Sequence, residues 1–269
     1  MQESLRVTRE RESYDGGRVF AESDRLHKKF SHVFESPNTR FCEQCLADET
    51  RRSIKGGSVL DYGCGTGVSS LRLLSEGARR VVGIDISPKN IAEASERIAA
   101  GAAAADRAEF RVMDAHQLLF PDGTFDVVVG RSILHHLEFQ KAVNEVVRVL
   151  RKGGAAIFVE PLWGNPAAKL FRALTPNAHT PDEMPLSREQ IEWADSVFGT
   201  SGHFFCGFAS TALGLLTSQV LGSADNAVLR LADSVDRVVM RTRFRYWMRC
   251  VYLFWRKADE PTHMHSDER

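Results

Sequence analysis

Between residues 58 and 161 the sequence alternates short apolar runs with amphipathic segments of helical period. That pattern constrains the fold more than any other feature, because a strand apolar on both sides must be covered on both sides. SVLDYG, RRVVGIDIS, AEFRVMDA, TFDVVVGRS and AAIFVEP read as five strands. From Thr66 a helix carries Val68, Leu71, Leu73 and Leu74 and stops at Gly77. The segment SPKNIAEASERIAA starts with Ser87 as N-cap and Pro88 as first helical residue, and AAGAAAA at 99–105 reads as its end. In EFQKAVNEVVRVLRKGG, Ala142, Val143, Val146, Val147 and Leu150 share one face, closed by Gly153 and Gly154. The expected order is β-α-β-α-β-α-β-α-β, a doubly wound α/β domain.

The flanks divide the chain further. Residues 1–55 read as a helical cap of two amphipathic helices broken near Ser36-Pro37, with Leu26, Phe30, Val33 and Phe34 on one face. Residues 56–161 are the core. Region 162–257 is rich in turn residues, with helical pieces at about 166–174 and 187–198 and a sixth strand in GHFFCGFAS. An amphipathic helical insertion follows, then a last strand in RYWMRCVYLFWRK. Its Arg-rich, aromatic approach, 230–257, reads as an edge strand with arginines to solvent, the competing reading being contact with an anionic lipid surface or an acidic acceptor. Residues 258–269 read as a disordered tail.

Composition narrows the function. Lys+Arg and Asp+Glu both number 35, so no basic surplus points to nucleic acid. The N-terminus is polar and lacks the apolar core of a secretory signal, and no stretch approaches the roughly 20 apolar residues of a membrane span. The expectation is a cytoplasmic protein. Of five cysteines, only Cys42 and Cys45 form a C-x-x-C pair. Without a second pair these read as reduced thiols, and no metal is expected.

The chemistry starts at VLDYGCGTG, residues 59–67. Glycines at 63, 65 and 67 clear side chains from a strand-to-helix turn, where a ligand can sit on backbone N–H groups. A dinucleotide fingerprint G-x-G-x-x-G/A puts Val68 in its third glycine slot, which fits poorly, and no Gly-Lys-Ser/Thr follows for a phosphate loop. Asp61 beside the turn suits a cationic ligand. Asp85 ends the second strand about 20 residues on, where an acid accepts ribose hydroxyls. Asp114-Ala115 ends the third, placed to meet an adenine.

This ordered set resembles the class I S-adenosylmethionine-dependent methyltransferases over residues 58–161. The resemblance implies a Rossmann-like seven-stranded sheet with helices on both faces, its antiparallel last strand paired beside the fifth. It implies S-adenosyl-L-methionine as cofactor, with Asp61 and the loop Gly63, Cys64, Gly65 and Gly67 near the methionyl part. Asp85 and Ile86 would meet the ribose, Asp114 and Ala115 the adenine, and Gly130 and Arg131 the methionine group or sulfonium. Arg131 departs from the small or neutral residue expected and needs an anionic partner. Tyr14 is the residue of the N-terminal helices best placed to touch the cofactor, ahead of His27 and His32.

Methyl transfer to a hydroxyl asks for a general base. His135 and His136 follow the fourth strand, and Glu160 ends the fifth. These three are the candidate catalytic residues. His179 and Glu183 sit in a turn-rich lid, NAHTPDEMPL, and His203 reads as structural. Trp163, Phe171, Trp193, Phe204 and Phe205 wall an aromatic pocket or fill the core. The stretch from EPLWGNP to DEMPL resembles bacterial methyltransferases of small metabolites. The reading is methylation of an O or N nucleophile on a small-molecule acceptor, leaving room for a homodimer and for peripheral membrane contact. The alternative is a non-methylating enzyme of the same fold, for example a cyclase. A nucleic-acid or protein methyltransferase would show Asn/Asp-Pro-Pro-Tyr/Phe after the fourth strand, where GRSILHHL stands.

Overall fold

The five expected strands form one sheet with two later ones, in a computed structural model that describes residues 5–100 and 105–259. They are β1 (Ser58–Tyr62), β2 (Arg80–Asp85), β3 (Ala108–Val112), β4 (Phe125–Arg131) and β5 (Leu150–Pro161), followed by β6 (Gly199–Cys206) and β7 (Cys250–Lys257). The strand order is β3-β2-β1-β4-β5-β7-β6. Pairs from β3 to β5 are parallel, and β7 runs antiparallel to both β5 and β6. The last strand is therefore interior. Its Tyr252 and Trp255 are buried, so the edge-strand reading of this stretch is corrected; the exposed Arg241, Arg243 and Arg245 belong to the irregular segment before it.

Eleven helices among the described residues surround the sheet. The cap holds four, α1 (Leu5–Asp15), α2 (Arg18–Lys29), α3 (Ser31–Glu35) and α4 (Pro37–Ile54), where two were expected. The break at Ser36-Pro37 is as read: the Ser36 hydroxyl accepts from Thr39 N at 3.3 Å, and Pro37 opens the helix. The other breaks come at Gly17, whose φ is 67°, and at Phe30. Next come α5 (Val68–Ser75), α6 (Pro88–Ala99) and α7 (Phe139–Val149). In α5, Leu73 and Leu74 are buried while Val68 is exposed. α7 ends earlier than expected, because Leu150 already pairs with Phe125 as part of β5.

One expected helix is missing. Residues 113–124, between β3 and β4, hold neither helix nor strand, only a connection that buries Leu118 and Phe120. Pro121 and Gly123 (φ 65°) punctuate it. Most of the alanine run 99–105 and most of the predicted tail lie outside the described residues.

Beyond β5 lie α8 (Pro166–Leu174), α9 (Arg188–Phe198), α10 (Ala209–Val220) and α11 (Ala227–Val239). Ser187 and Gln190 cap α9 reciprocally. The amphipathic insertion is thus two helices, and α11 turns partly polar inward. Asp233 accepts from Asn38 N at 3.0 Å, and Asp236 accepts from Ala209 N at 2.6 Å at the start of α10. Val228, Leu231, Val235 and Val238 face outward. No described helix is long and apolar enough to cross a membrane.

The carboxyl edge of the parallel strands carries the site, and glycines let it pack. A Cβ on Gly130 would stand 2.5 Å from the Phe158 ring and 2.9 Å from Ile133. Gly130→Ala is expected to destabilise the fold by about 1–3 kcal/mol through overpacking, to be read from urea unfolding midpoints.

Candidate active site

A cavity of about 640 Å³ opens at this edge, within the roughly 300–1,000 Å³ usual for small-molecule sites. On one side the β1 turn supplies Gly63, Cys64 and Gly65. Their backbone is left-handed at Gly63 (φ 77°) and Gly65 (φ 50°), and a Cβ on Gly65 would meet no protein atom within 4 Å. That glycine answers to the cavity, not to packing. Gly67 (φ 79°) is different: it lies outside the cavity wall, and its missing side chain makes room for Ala94 of α6.

Asp85 organises the turn. One carboxylate oxygen accepts from Gly65 N at 3.0 Å, and the other from Ser87 N at 2.9 Å and the Asn90 amide at 3.3 Å. Burial pushes its pKa up, against the pull of those donors. The Ser87 hydroxyl also bonds Asp15, joining α1 to the N-terminus of α6. Ile86 lines the same wall. Asp114 is oriented by His116, which donates from its backbone at 2.8 Å and contacts it through Nδ1 at 2.7 Å. Burial opposes ionisation of Asp114, but the His116 bonds outweigh it and hold the pKa below the usual range. The Ala115 carbonyl accepts from the Tyr62 hydroxyl at 2.6 Å.

On the other side sit His135, His136 and Glu160. Glu160 is wholly buried; it accepts from Ile133 N and Leu134 N, each at 2.9 Å, and meets His135 Nδ1 at 2.6 Å. With both Glu160 oxygens acting as acceptors, Nδ1 carries the hydrogen and Nε2 of His135 keeps its lone pair. Burial pushes the His135 pKa down, and Glu160 only partly offsets it. His136 Nε2 lies 2.9 Å from the Tyr14 hydroxyl, and its Nδ1 lies 3.2 Å from both Thr180 Oγ1 and Glu10. Burial, then the Glu10 charge, pushes the Tyr14 hydroxyl well above the usual phenol value.

The lid joins here. Burial opposes ionisation of Glu183, but the His179 hydrogen bond and the Arg172 charge overcome it and bring its pKa to about 2. Ligand atoms of His135, His136 and Glu183 lie within 4.8 Å of one another, a grouping a divalent ion could use. Those of His136 and Glu183 are already engaged, by Tyr14 and by Arg172 and His179. The cluster is read as a hydrogen-bonded network.

Of the predicted site residues, Tyr14, Gly63, Cys64, Gly65, Asp85, Ile86, Asp114, Ala115, Arg131, His135, His136 and Glu160 line one cavity. Asp61, Gly67 and Gly130 stand outside its wall. Asp61 is buried behind the turn, accepting from the Ser70 hydroxyl at 2.6 Å. Arg131 finds its anion within the chain, a two-pronged pair with Glu43 at 3.0 and 2.7 Å. The sequence reading passed over Glu10, Glu43, Arg172, Ser132 and Arg249, which also line the cavity. Among described non-glycine residues only Ser132 has a left-handed backbone (φ 54°), the kind of local strain that clusters at functional sites.

Comparison with known proteins agrees with this geometry. Residues 59–154 match the methyltransferase domain family. That segment is a methyltransferase domain, and the sheet order is that of the class I, S-adenosylmethionine-dependent fold. A 2-methyl-6-phytyl-1,4-hydroquinone methyltransferase from Synechocystis sp. is 39% identical over 188 residues, covering 68% of this chain and 54% of that one. A 27-O-demethylrifamycin SV methyltransferase from Amycolatopsis mediterranei is 39% identical over 125 residues, 46% of this chain and 45% of that one. The chain spans about half the length of the curated relatives it matches. Geranyl diphosphate C-methyltransferase from Streptomyces coelicolor A3(2) shares the fold at a TM-score of 0.57 and 16% identity, over 80% of this chain and 79% of that one.

Asp61 yields a pH prediction. Burial raises its pKa to about 6. A carboxyl raised on folding stabilises the protein below its unfolded pKa of about 4, and that contribution disappears as pH rises through about 6. Asp61→Asn keeps an acceptor for Ser70. It is expected to flatten the fall in stability between about pH 4 and about pH 7, by up to about 3 kcal/mol. Guanidinium unfolding at the two pH values measures it.

Proposed function

We propose that this chain is an S-adenosylmethionine-dependent methyltransferase that acts on an O or N nucleophile of a small-molecule metabolite. The observation that carries the reading is the convergence on one cavity of the Gly63–Gly65 turn, Asp85 and Asp114 with the His135–Glu160 pair. The residues fit the cofactor: open space above Gly65 for the methionyl part, Asp85 for ribose hydroxyls, and Asp114 with Ala115 for adenine. S-adenosylmethionine, when bound, supplies an electrophilic methyl group. Everything else falls to the chain. The cap and lid exclude water, the cavity wall orients the acceptor, and His135 Nε2 takes the proton of an O–H or N–H nucleophile. Neutral imidazole is the competent base, and burial of His135 favours that form.

Calorimetric titration with S-adenosylmethionine, S-adenosylhomocysteine and NAD tests the cofactor. The first two are expected to bind at micromolar concentration and to lose that affinity in Asp85→Ala; binding of NAD alone would make the chain an oxidoreductase. An acceptor screen by mass gain follows. Consumption of the cofactor with a methylated product supports transfer, and turnover of a substrate with the cofactor intact supports a cyclase-type reaction instead. With an acceptor in hand, His135→Gln is expected to lower kcat by about 10²–10⁴-fold while S-adenosylhomocysteine affinity stays unchanged. A kcat within a factor of about three of wild type would remove His135 as base.

A further inference from the structure

Arg249 immediately precedes β7 and lines the cavity at its β5–β7 end. The sheet framework holds its backbone: its N–H donates to Cys206 O at 3.0 Å and Gly207 O at 2.9 Å, and its carbonyl accepts from Leu162 N at 2.9 Å. The guanidinium is thus delivered from rigid structure. The residue is half-buried, and its Nε is buried without a hydrogen-bond partner. Its neighbours are the Cys206 sulfur at 3.9 Å and the face of Phe34, 5.0 Å from the ring centroid.

Among the described residues no carboxylate comes within 4.0 Å of this cation. Glu43 is the carboxylate whose charge acts on it, but both Glu43 oxygens are taken, by Arg131 and by the Tyr252 hydroxyl at 2.9 Å. Arginine cannot shed its proton to relieve the cost of burial. A second basic group also packs on Phe34: the His27 ring stacks on it at 3.6 Å between centroids and lines the same cavity. Burial, then the charges of Arg249 and Arg131, hold the His27 pKa down against its Ser23 bond. At this end of the cavity the Glu43 carboxylate is already committed to Arg131 and Tyr252, and Arg249 has no anion of its own among the described residues.

We propose that Arg249 anchors an oxyanion of the methyl acceptor, a carboxylate or phosphoryl group whose paired oxygens match the guanidinium fork. The inference rests on the methyl-transfer reading and names the substrate class for it. The strand order separates this anchor from the cofactor turn. Arg249 stands at the head of β7, beyond β4 and β5 from β1, so the anion belongs to the acceptor. The apolar surface of Phe34 and Val159 faces the acceptor's body.

Calorimetric titration of the S-adenosylhomocysteine-loaded protein with benzoate, phenyl phosphate and neutral benzyl alcohol tests this. At least one anion is expected to bind on the order of tenfold or more tightly than benzyl alcohol. Arg249→Met is expected to erase that preference, and Arg249→Lys to keep part of it, with S-adenosylhomocysteine affinity unchanged in both. Anions that bind no better than the alcohol, or an Arg249→Met protein that keeps the preference, overturn the proposal. So does loss of S-adenosylhomocysteine affinity in Arg249→Met, which would assign the guanidinium to the cofactor carboxylate. If Arg249→Met does not fold, Arg249→Lys and the wild-type contrast between charged and neutral probes decide. Failure of the wild type to take up S-adenosylhomocysteine is a different result: it defeats the methyl-transfer reading, and this inference with it.

Discussion

The site depends on one carboxylate, that of Glu160, which has no exposure to solvent. An acid this deep is costly unless its lone pairs are filled, and here two backbone N–H groups and an imidazole fill them. The two amides belong to the turn after β4, whose chain has just passed through the left-handed Ser132. Glu160 therefore compensates that turn and ties the ends of two neighbouring parallel strands. It also fixes the tautomer of His135, so the acid that satisfies the turn also orients the imidazole that faces the cavity.

The two sides of the cavity are built differently. The side of Asp85 draws on strand ends and local turns, where that carboxylate meets donors within a few residues or at the end of the adjacent strand. The opposite side is a polar network across the chain. Arg6 donates to the carbonyls of His136 at 3.0 Å and Asp182 at 2.9 Å, and Arg9 pairs with Asp182 at 2.8 Å. Tyr14 and Glu10 reach His136 from the same helix, α1. Such a closure exchanges readily for water, because its groups find solvent partners when parted, whereas an apolar seal would expose surface. Those polar contacts belong to α1; further along the cap, α4 packs Cys42, Leu46 and Ile54 into the core.

That difference decides what the sequence could reveal. The strands and their terminal acids are written in local patterns of two to twenty residues, and so was the break at Ser36-Pro37. The β3–β4 connection misled because doubly wound sheets usually place a helix there, while Pro121 and Gly123 mark a chain that crosses without one. Arg131 could not be placed, since its partner Glu43 lies 88 residues away. Arg249 was hidden too, since its neighbours Cys206 and Phe34 lie far away in sequence and no described carboxylate pairs with it. Asp61, Gly67 and Gly130 were expected beside the ligand, but their side-chain positions serve the packing behind the wall. Spacing along a strand says which face a residue takes, not whether a ligand or a neighbour waits there.

The place of β7 in the sheet bears on the order in which the chain can assemble. Strands β1 to β5 find all their mutual neighbours within residues 58–161, so their pairing can form while later residues are still being synthesised. β6 has no such option: its sheet partner is β7, some 44 residues further along at the pair Cys206 and Cys250. Until that last strand inserts, β5 presents an open edge and β6 an unpaired one, the condition in which chains most readily pair with the wrong neighbour. The β7–β6 end of the sheet is thus finished last, by the same insertion that covers the edge of β5.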